Sequence, residues 1–163
     1  MWLSVSYKEF YSTYNNGHVI YEGNKKLIKE INFLNPKSVL EFGCGTGKNL
    51  NLIDAEHRSG LDLSEPAILD GRKHYVGFEM AIGDEDILLD APYDVSFTVS
   101  VLNHIPKIDK IVEKLLSISD KVLCLESQEM WHKYCYIHDY SKWFKSGWHW
   151  QSPFGMWYTL WRN

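Results

Sequence analysis

Three glycines, Gly43, Gly45 and Gly47, stand at alternate positions directly after the apolar run Val39-Leu40-Glu41-Phe42. A glycine turn leaving a strand lets the chain bend tightly at Gly43 and lets the backbone approach a ligand at Gly45. Asp62 follows 19 residues after Gly43, at the end of the next apolar segment. An acid at that place accepts hydrogen bonds from the two hydroxyls of a ribose. A second acidic pair, Asp84-Glu85, closes a third such segment. Two details restrict the ligand. Lys48 stands where a dinucleotide fingerprint has its third glycine, and Glu41 lies two residues before the first. Its carboxylate would repel a pyrophosphate and tolerate a cation. The phosphate-binding pattern Gly-x-x-x-x-Gly-Lys-Ser/Thr is absent. A nucleoside carrying positive charge and no phosphate fits this set of residues.

The elements that must position these groups follow from hydrophobic periodicity. From Asn24 to Leu34, apolar residues recur at helical spacing until Asn35-Pro36 ends the helix. Ser38 to Phe42 reads as a strand, and Lys48 to Ile53, beyond the glycines, as a helix. Arg58 to Asp62 is a second strand. Pro66 to His74 is a helix with Ser64 as N-cap and Pro66 in its first turn. Phe78 to Ile82, Tyr93 to Val101 and Lys121 to Leu125 are further strands, with an amphipathic helix over Ile108 to Ile118. Strands alternating with helices predict a doubly wound, Rossmann-like α/β sheet of about seven strands, mainly parallel and covered on both faces. After Glu126 the pattern loosens into a short helix and a C-terminal antiparallel hairpin, Trp148-His149-Trp150 against Met156 to Trp161.

The run Val39 to Gly47 resembles the first motif of class I S-adenosylmethionine-dependent methyltransferases. Gly60-Leu61-Asp62-Leu63-Ser64 is similar to their second motif, and Gly83-Asp84 to their third. Tyr93-Asp94-Val95 through Ser100-Val101-Leu102-Asn103-His104-Ile105 resembles their fourth strand and the loop after it. The matches occur in family order over roughly residues 25–127. The resemblance implies that Glu41, Gly43, Cys44 and Gly45 hold the methionine moiety. It implies that Asp62 binds the ribose, Leu63 flanks the adenine, Asp84 with Glu85 reaches its amine, and Ser100 and Val101 line the floor. The implied cofactor is S-adenosylmethionine, with S-adenosylhomocysteine as product and no metal. One domain over 1–163 is expected, with 1–23 as an N-terminal cap segment, 24–127 as the cofactor-binding core and 128–163 as an aromatic-rich C-terminal part.

Methyl transfer asks the protein mainly to align a nucleophile, and a base is needed only if the acceptor must lose a proton. Asn103 and His104 follow the fourth strand, and His104 is either that base or a residue orienting the loop. His138 and Asp139 are further polar groups, Asp139 being the better N-cap for a helix through Phe144. Asn103, Glu126 and Tyr140 are candidates to face the acceptor, as either substrate contacts or structural groups. Tyr14 and Tyr21 precede the core, where a segment could fold over the cofactor. The loop after the fourth strand is not Asn-Pro-Pro-Tyr, so it departs from the signature of enzymes that methylate exocyclic amines of nucleic acids.

Composition narrows the partner. The 163 residues are 45% hydrophobic and 23% charged, the range of ordinary globular chains. A net charge of −4 disfavours a broad grip on nucleic acid, so a small-molecule acceptor is expected. Three cysteines without metal-ligand spacing fit a reducing, cytoplasmic setting, and no apolar run is long enough to span a bilayer. Oligomeric state is not readable. Aromatic residues reach 15%, and six of the seven tryptophans fall in 131–163, either as packing or as an aromatic wall for the acceptor. Two other functions share this sequence pattern: cleavage of S-adenosylmethionine on the same fold, and non-catalytic binding of it as a partner protein.

Overall fold

Strand β1, Ser38–Phe42, alternates its side chains between two apolar layers. Val39 joins a cluster with Leu27, Ile28, Ile31 and Val95, while Leu40 and Phe42 join another with Ile111, Val112 and Leu115. The helices that supply these layers are α2, Glu22–Phe33, and α4, Asp109–Ile118, each amphipathic with one buried stripe. Each fully buried Leu or Ile contributes roughly 1.5–3 kcal/mol by leaving water. The computed structural model describes residues 6–84, 86–87 and 92–163.

Among the described residues, β2 (His57–Asp62), β3 (Glu79–Ile82), β4 (Tyr93–Val99), β5 (Ser119–Ser127), β6 (Lys145–Gln151) and β7 (Trp157–Arg162) complete one sheet. Its order is β3-β2-β1-β4-β5-β7-β6. The first five strands are parallel, with Leu40 opposite Ser59 and Ser96, while β7 runs antiparallel to both β5 and β6. The doubly wound sheet with a C-terminal antiparallel hairpin is therefore as expected. The strand order reverses between β1 and β4, and a ligand crevice opens at that switch point. Helix α3, Glu65–His74, is capped by Ser64, whose hydroxyl accepts from the Ala67 amide at 3.3 Å.

Two elements differ from expectation. The helix predicted over 48–53 is a single 3-10 turn, Leu50–Leu52, and Ile53 is already extended. The short helix expected after Asp139 is likewise one 3-10 turn, Tyr140–Lys142, with Asp139 as N-cap accepting from the Ser141 amide at 3.1 Å. A short helix α1, Tyr7–Tyr11, lies in the segment before the core. Among the described residues no helix is long and apolar enough to cross a membrane, and Cys44, Cys124 and Cys135 are free and buried.

Candidate active site

A cavity of about 700 Å³ opens where the carboxyl ends of β1, β2 and β4 meet, walled by the N-terminal segment and the β6–β7 hairpin. At its base the glycine turn is pinned by the Gly43 and Cys44 amides, which donate to Leu61 O at 2.7 and 3.1 Å. Gly43 has φ +75°, and a Cβ there would lie 2.2 Å from Val101 Cγ2. No side chain fits, so the loop after β4 closes down on the bare backbone.

Asp62 is the clamp of this turn. Its two carboxylate oxygens accept the Gly45 amide at 2.7 Å and the Ser64 amide at 2.8 Å. Burial pushes its pKa up, and the two amide bonds oppose that shift. Each oxygen still has a second lone pair for a hydroxyl donor.

Glu41 is 1% exposed, and its position is set by a buried polar chain. Asn24 Nδ2 donates to Asn49 Oδ1 at 3.0 Å, and Asn49 Nδ2 donates to Glu41 Oε1 at 2.6 Å. Oε2 has no hydrogen-bond partner although it is buried, and Glu41 lines the cavity. Burial pushes its carboxyl up to about 8, against the Asn49 bond and the charge of Lys48. Lys48 also lines the cavity, and burial lowers its pKa.

The loop after β4 is shaped by a second buried acid. Ser100 turns the chain with a left-handed φ of +55°, a strained conformation for a non-glycine residue, while its amide donates to Leu125 O at 2.9 Å. Glu126 then gathers the donors that follow. It accepts Thr98 Oγ1 at 2.7 Å, the Val101 amide at 3.2 and 3.0 Å and the Asn103 amide at 3.3 Å. Burial raises its carboxyl to about 7 against these bonds.

At the far wall, donor and acceptor roles can be counted. The Tyr134 amide donates to His132 Nδ1 at 3.0 Å, so the neutral ring carries its proton on Nε2. That N–H faces the Tyr11 hydroxyl at 3.1 Å. His104 Nδ1 lies 3.0 Å from the Tyr134 carbonyl, which can only accept, so Nδ1 is protonated and Nε2 carries the lone pair. The same Nδ1 is 2.8 Å from the Tyr11 hydroxyl. Tyr11 thus accepts the His132 Nε2–H and shares the single His104 Nδ1–H with the Tyr134 carbonyl, which leaves its own proton to donate. Burial lowers the His104 pKa to about 4 and raises that of Tyr11.

Of the residues singled out from sequence, Glu41, Gly43, Cys44, Gly45, Asp62, Leu63, Asp84, Ser100, Val101 and His104 all line this one cavity. Glu85 lies outside the described residues. Asp84 is also held by Lys8 of α1 at 2.8 Å and by the Asp86 amide at 3.0 Å. Four expectations are corrected. Glu126 does not line the cavity, because its oxygens are committed to the loop after β4. Tyr140 is fully buried in the α4-side layer, stacked on Trp161 at 5.5 Å. His138 is spent on Ile105 O at 2.9 Å and lies off the cavity. Asn103 is fully buried there too, outside the cavity lining, and its side-chain amide has no partner.

Sequence reasoning missed Tyr11, Asn24, Asn49 and His132. The N-terminal tyrosines offered a signal, since Tyr11 sits one helical turn before Tyr14. Nothing in the sequence tied His132 to either. Of the tryptophans, Trp131 and Trp150 line the cavity, whereas Trp148 and Trp161 pack against the two apolar layers.

A parallel sheet with a switch-point crevice, a glycine turn and a ribose-spaced acid define a Rossmann-like domain for a nucleoside cofactor. Residues 40–118 match the family model described as a methyltransferase domain, a family that uses S-adenosylmethionine. Solved structures agree on the fold. The methyltransferase domain of bacterial CtHen1-C is 13% identical at TM-score 0.69, over 86% of this chain and 95% of that one. The N-methyltransferase NodS from Bradyrhizobium japonicum WM9 is 12% identical at TM-score 0.68, over 86% and 93%. The plantazolicin methyltransferase BpumL, solved with a monoazolic desmethylPZN analog and S-adenosylhomocysteine, is 21% identical at TM-score 0.56. It matches over 64% of this chain and 48% of that one. Comparison with curated protein sequences finds no match.

S-adenosylmethionine is the cofactor of this class, and the residues present fit it. The unpartnered Glu41 Oε2 suits an ammonium, the second lone pairs of Asp62 suit ribose hydroxyls, and the bare Gly43–Gly45 backbone admits a close approach. When bound, the cofactor supplies a methyl group already made electrophilic by its sulfonium.

Proposed function

We propose that the protein transfers this methyl group to a small-molecule acceptor bound in the same cavity, against Phe10, Tyr11, Tyr14, Trp131 and His132. The observation that carries this reading is the make-up of the cavity wall. Its carboxyl and ammonium side chains, among the described residues, are those of Glu41, Lys48, Asp62 and Asp84, three acids and one base. The rest of the wall is dominated by aromatic and apolar groups, around a cavity volume of about 700 Å³. Pockets for single ligands start at roughly 300 Å³, so a cofactor and a small acceptor fit together. A phosphate-rich acceptor would meet no basic clamp.

In this reading Glu41, Asp62 and the glycine turn fix the cofactor, and the aromatic wall excludes water and orients the acceptor. Tyr11 donates a hydrogen bond to the acceptor, held in place by His104 and His132. His104 serves position better than base catalysis, because a conjugate acid near pKa 4 is poorly matched to neutral pH. The acceptor is then a nucleophile that needs no strong base, such as a neutral nitrogen. Its nitrogen would attack the methyl carbon, the carbon–sulfur bond would break, and any surplus proton would leave to water.

The test is a screen of metabolite fractions for compounds that gain a labelled methyl group, run beside calorimetry with S-adenosylhomocysteine. Transfer to a low-mass compound with release of S-adenosylhomocysteine is expected. No binding at millimolar ligand would sink the cofactor assignment. Label found only in nucleic acid would sink the acceptor assignment, and methylthioadenosine formed without any acceptor would point to cleavage instead.

A further inference from the structure

Among the described residues, two groups bring three potential metal ligands within 4.8 Å of one another: His104, His132 and Cys135, and His18, Asp70 and His74. The first group is already committed. His104 Nδ1 serves the Tyr134 carbonyl and His132 Nδ1 accepts the Tyr134 amide, so an ion held through these atoms would have to break both contacts. Their rings are also parallel within 10°, which sends their in-plane lone pairs side by side.

The second group is open to solvent and differently arranged. Asp70 and His74 lie one turn apart on α3, with His74 Nδ1 at 3.2 Å from Asp70 Oδ1 and 2.9 Å from the Asp70 carbonyl, a contact within the helix that a ligated ion would replace while Nε2 stays free. His18 arrives from the N-terminal segment and places Nε2 at 3.1 Å from Asp70 Oδ2. The His18 and His74 rings are 4.4 Å apart and inclined at 49°, so their edges can converge. The Tyr75 hydroxyl meets the other His18 nitrogen at 2.9 Å, the kind of outer contact that fixes the ring of a metal-ligating histidine.

We propose that His18, Asp70 and His74 bind one divalent transition ion, with zinc as the natural probe, and that the ion fastens the N-terminal segment to α3. Two imidazoles and one carboxylate suit zinc, nickel or copper and not the oxygen-seeking magnesium or calcium. The ion takes the place of the imidazole N–H protons that face Asp70, and they leave to solvent. Water completes the coordination. The fastening matters because this segment contributes Tyr11, Tyr14 and Asn16 to the cavity wall. Without an ion it is held near His18 by the Asn15 amide on Asp70 at 3.0 Å, Ser64 Oγ on Tyr14 O at 2.5 Å and Thr46 Oγ1 on Gly17 O at 3.0 Å. The two bonds between neutral groups contribute only about 1 kcal/mol each and the Asn15 bond to the Asp70 carboxylate roughly 1.5–3 kcal/mol, so a three-point metal clip changes how often the wall opens.

The experiment is zinc titration of the purified full chain by calorimetry, with limited proteolysis of residues 7–21 as a second readout. One equivalent of zinc bound in the micromolar range is expected, weakened at least tenfold in His18→Ala, His74→Ala and Asp70→Asn. Cleavage in 7–21 should slow at least fivefold with zinc in the wild type and not in His74→Ala. His57→Ala, an exposed histidine outside the group, should behave as wild type. Circular dichroism of each variant separates lost ligation from lost folding, and His74→Ala and Asp70→Asn alter exposed or half-exposed positions. Absence of zinc binding, or binding that survives these variants and is lost in Cys135→Ser, overturns the site. Zinc binding with unchanged proteolysis overturns the clip. Neither readout uses the cofactor, so the outcome is independent of the methyl-transfer reading.

Discussion

Replacing Glu41 by Gln tests the cofactor cradle at its most unusual group. In the free protein the carboxyl sits near pKa 8 because it is buried, so at pH 7 only about a tenth of it is ionised. An ammonium seated against Oε2 requires the carboxylate. Ionising it costs about 1.4 kcal/mol at pH 7 and about 2.7 kcal/mol at pH 6. The affinity of the wild type for S-adenosylhomocysteine should therefore rise nearly tenfold from pH 6 to pH 7. Binding at pH 7 should release about 0.9 proton, seen as a dependence of the calorimetric heat on buffer ionisation enthalpy. His104 will not confuse the measurement, since its pKa near 4 lies below the window. The Gln variant should change less than twofold between the two pH values and release no proton. A charge-assisted hydrogen bond is worth roughly 1.5–3 kcal/mol. After the ionisation cost is subtracted, the variant should bind up to about fifteenfold more weakly at pH 7 and less than about twofold more weakly at pH 6. A flat wild-type profile, or a slope that survives in Glu41→Gln, would refute the argument that this carboxyl receives the ammonium.

Other substitutions probe the rest of the site. Asp62→Ala removes both amide contacts of the turn and the ribose acceptor, and should weaken cofactor binding at least tenfold by calorimetry; unchanged affinity would remove Asp62 from the site. Glu126→Gln presents an amide donor to the N–H groups of Val101 and Asn103, and should cost about 1–3 kcal/mol in urea unfolding; no loss would show the loop to be held otherwise. Gly43→Ala forces a Cβ into Val101, and should destabilise the protein by about 1–3 kcal/mol or more and weaken the cofactor in parallel; tolerance in both would contradict the close approach.

The β1–glycine turn–Asp62 unit was legible in the sequence because it is local. Strand period, glycine positions and the acid all lie within 25 residues of chain, and the strand register places them together without help from distant segments. Glu126 was misplaced for a reason that strand parity could have exposed. It shares its side of β5 with Val122 and Cys124, which face the α4 layer, whereas Leu125 faces the cavity. Tyr140 and His138 depend on how an irregular segment drapes over that layer, and no periodicity encodes such a path. The same holds for the Tyr11, His104 and His132 contacts, which join residues 93 and 121 positions apart. The helix expected over 48–53 is reduced to the single 3-10 turn Leu50–Leu52.

That foreshortened crossover has an electrostatic consequence. In nucleotide-binding α/β folds a full helix after the glycine turn aims its macrodipole, about half a positive charge, at the ligand. Here the turn runs into three residues of 3-10 helix, Leu50–Leu52, too short to gather such a dipole. The field at the turn is left to side chains: Asp62, Lys48, the carboxyl of Glu41 and an Asp84 paired with Lys8 at 2.8 Å. The missing helix acts as a charge filter: phosphate esters lose their usual anchor, and a sulfonium nucleoside gains the preference.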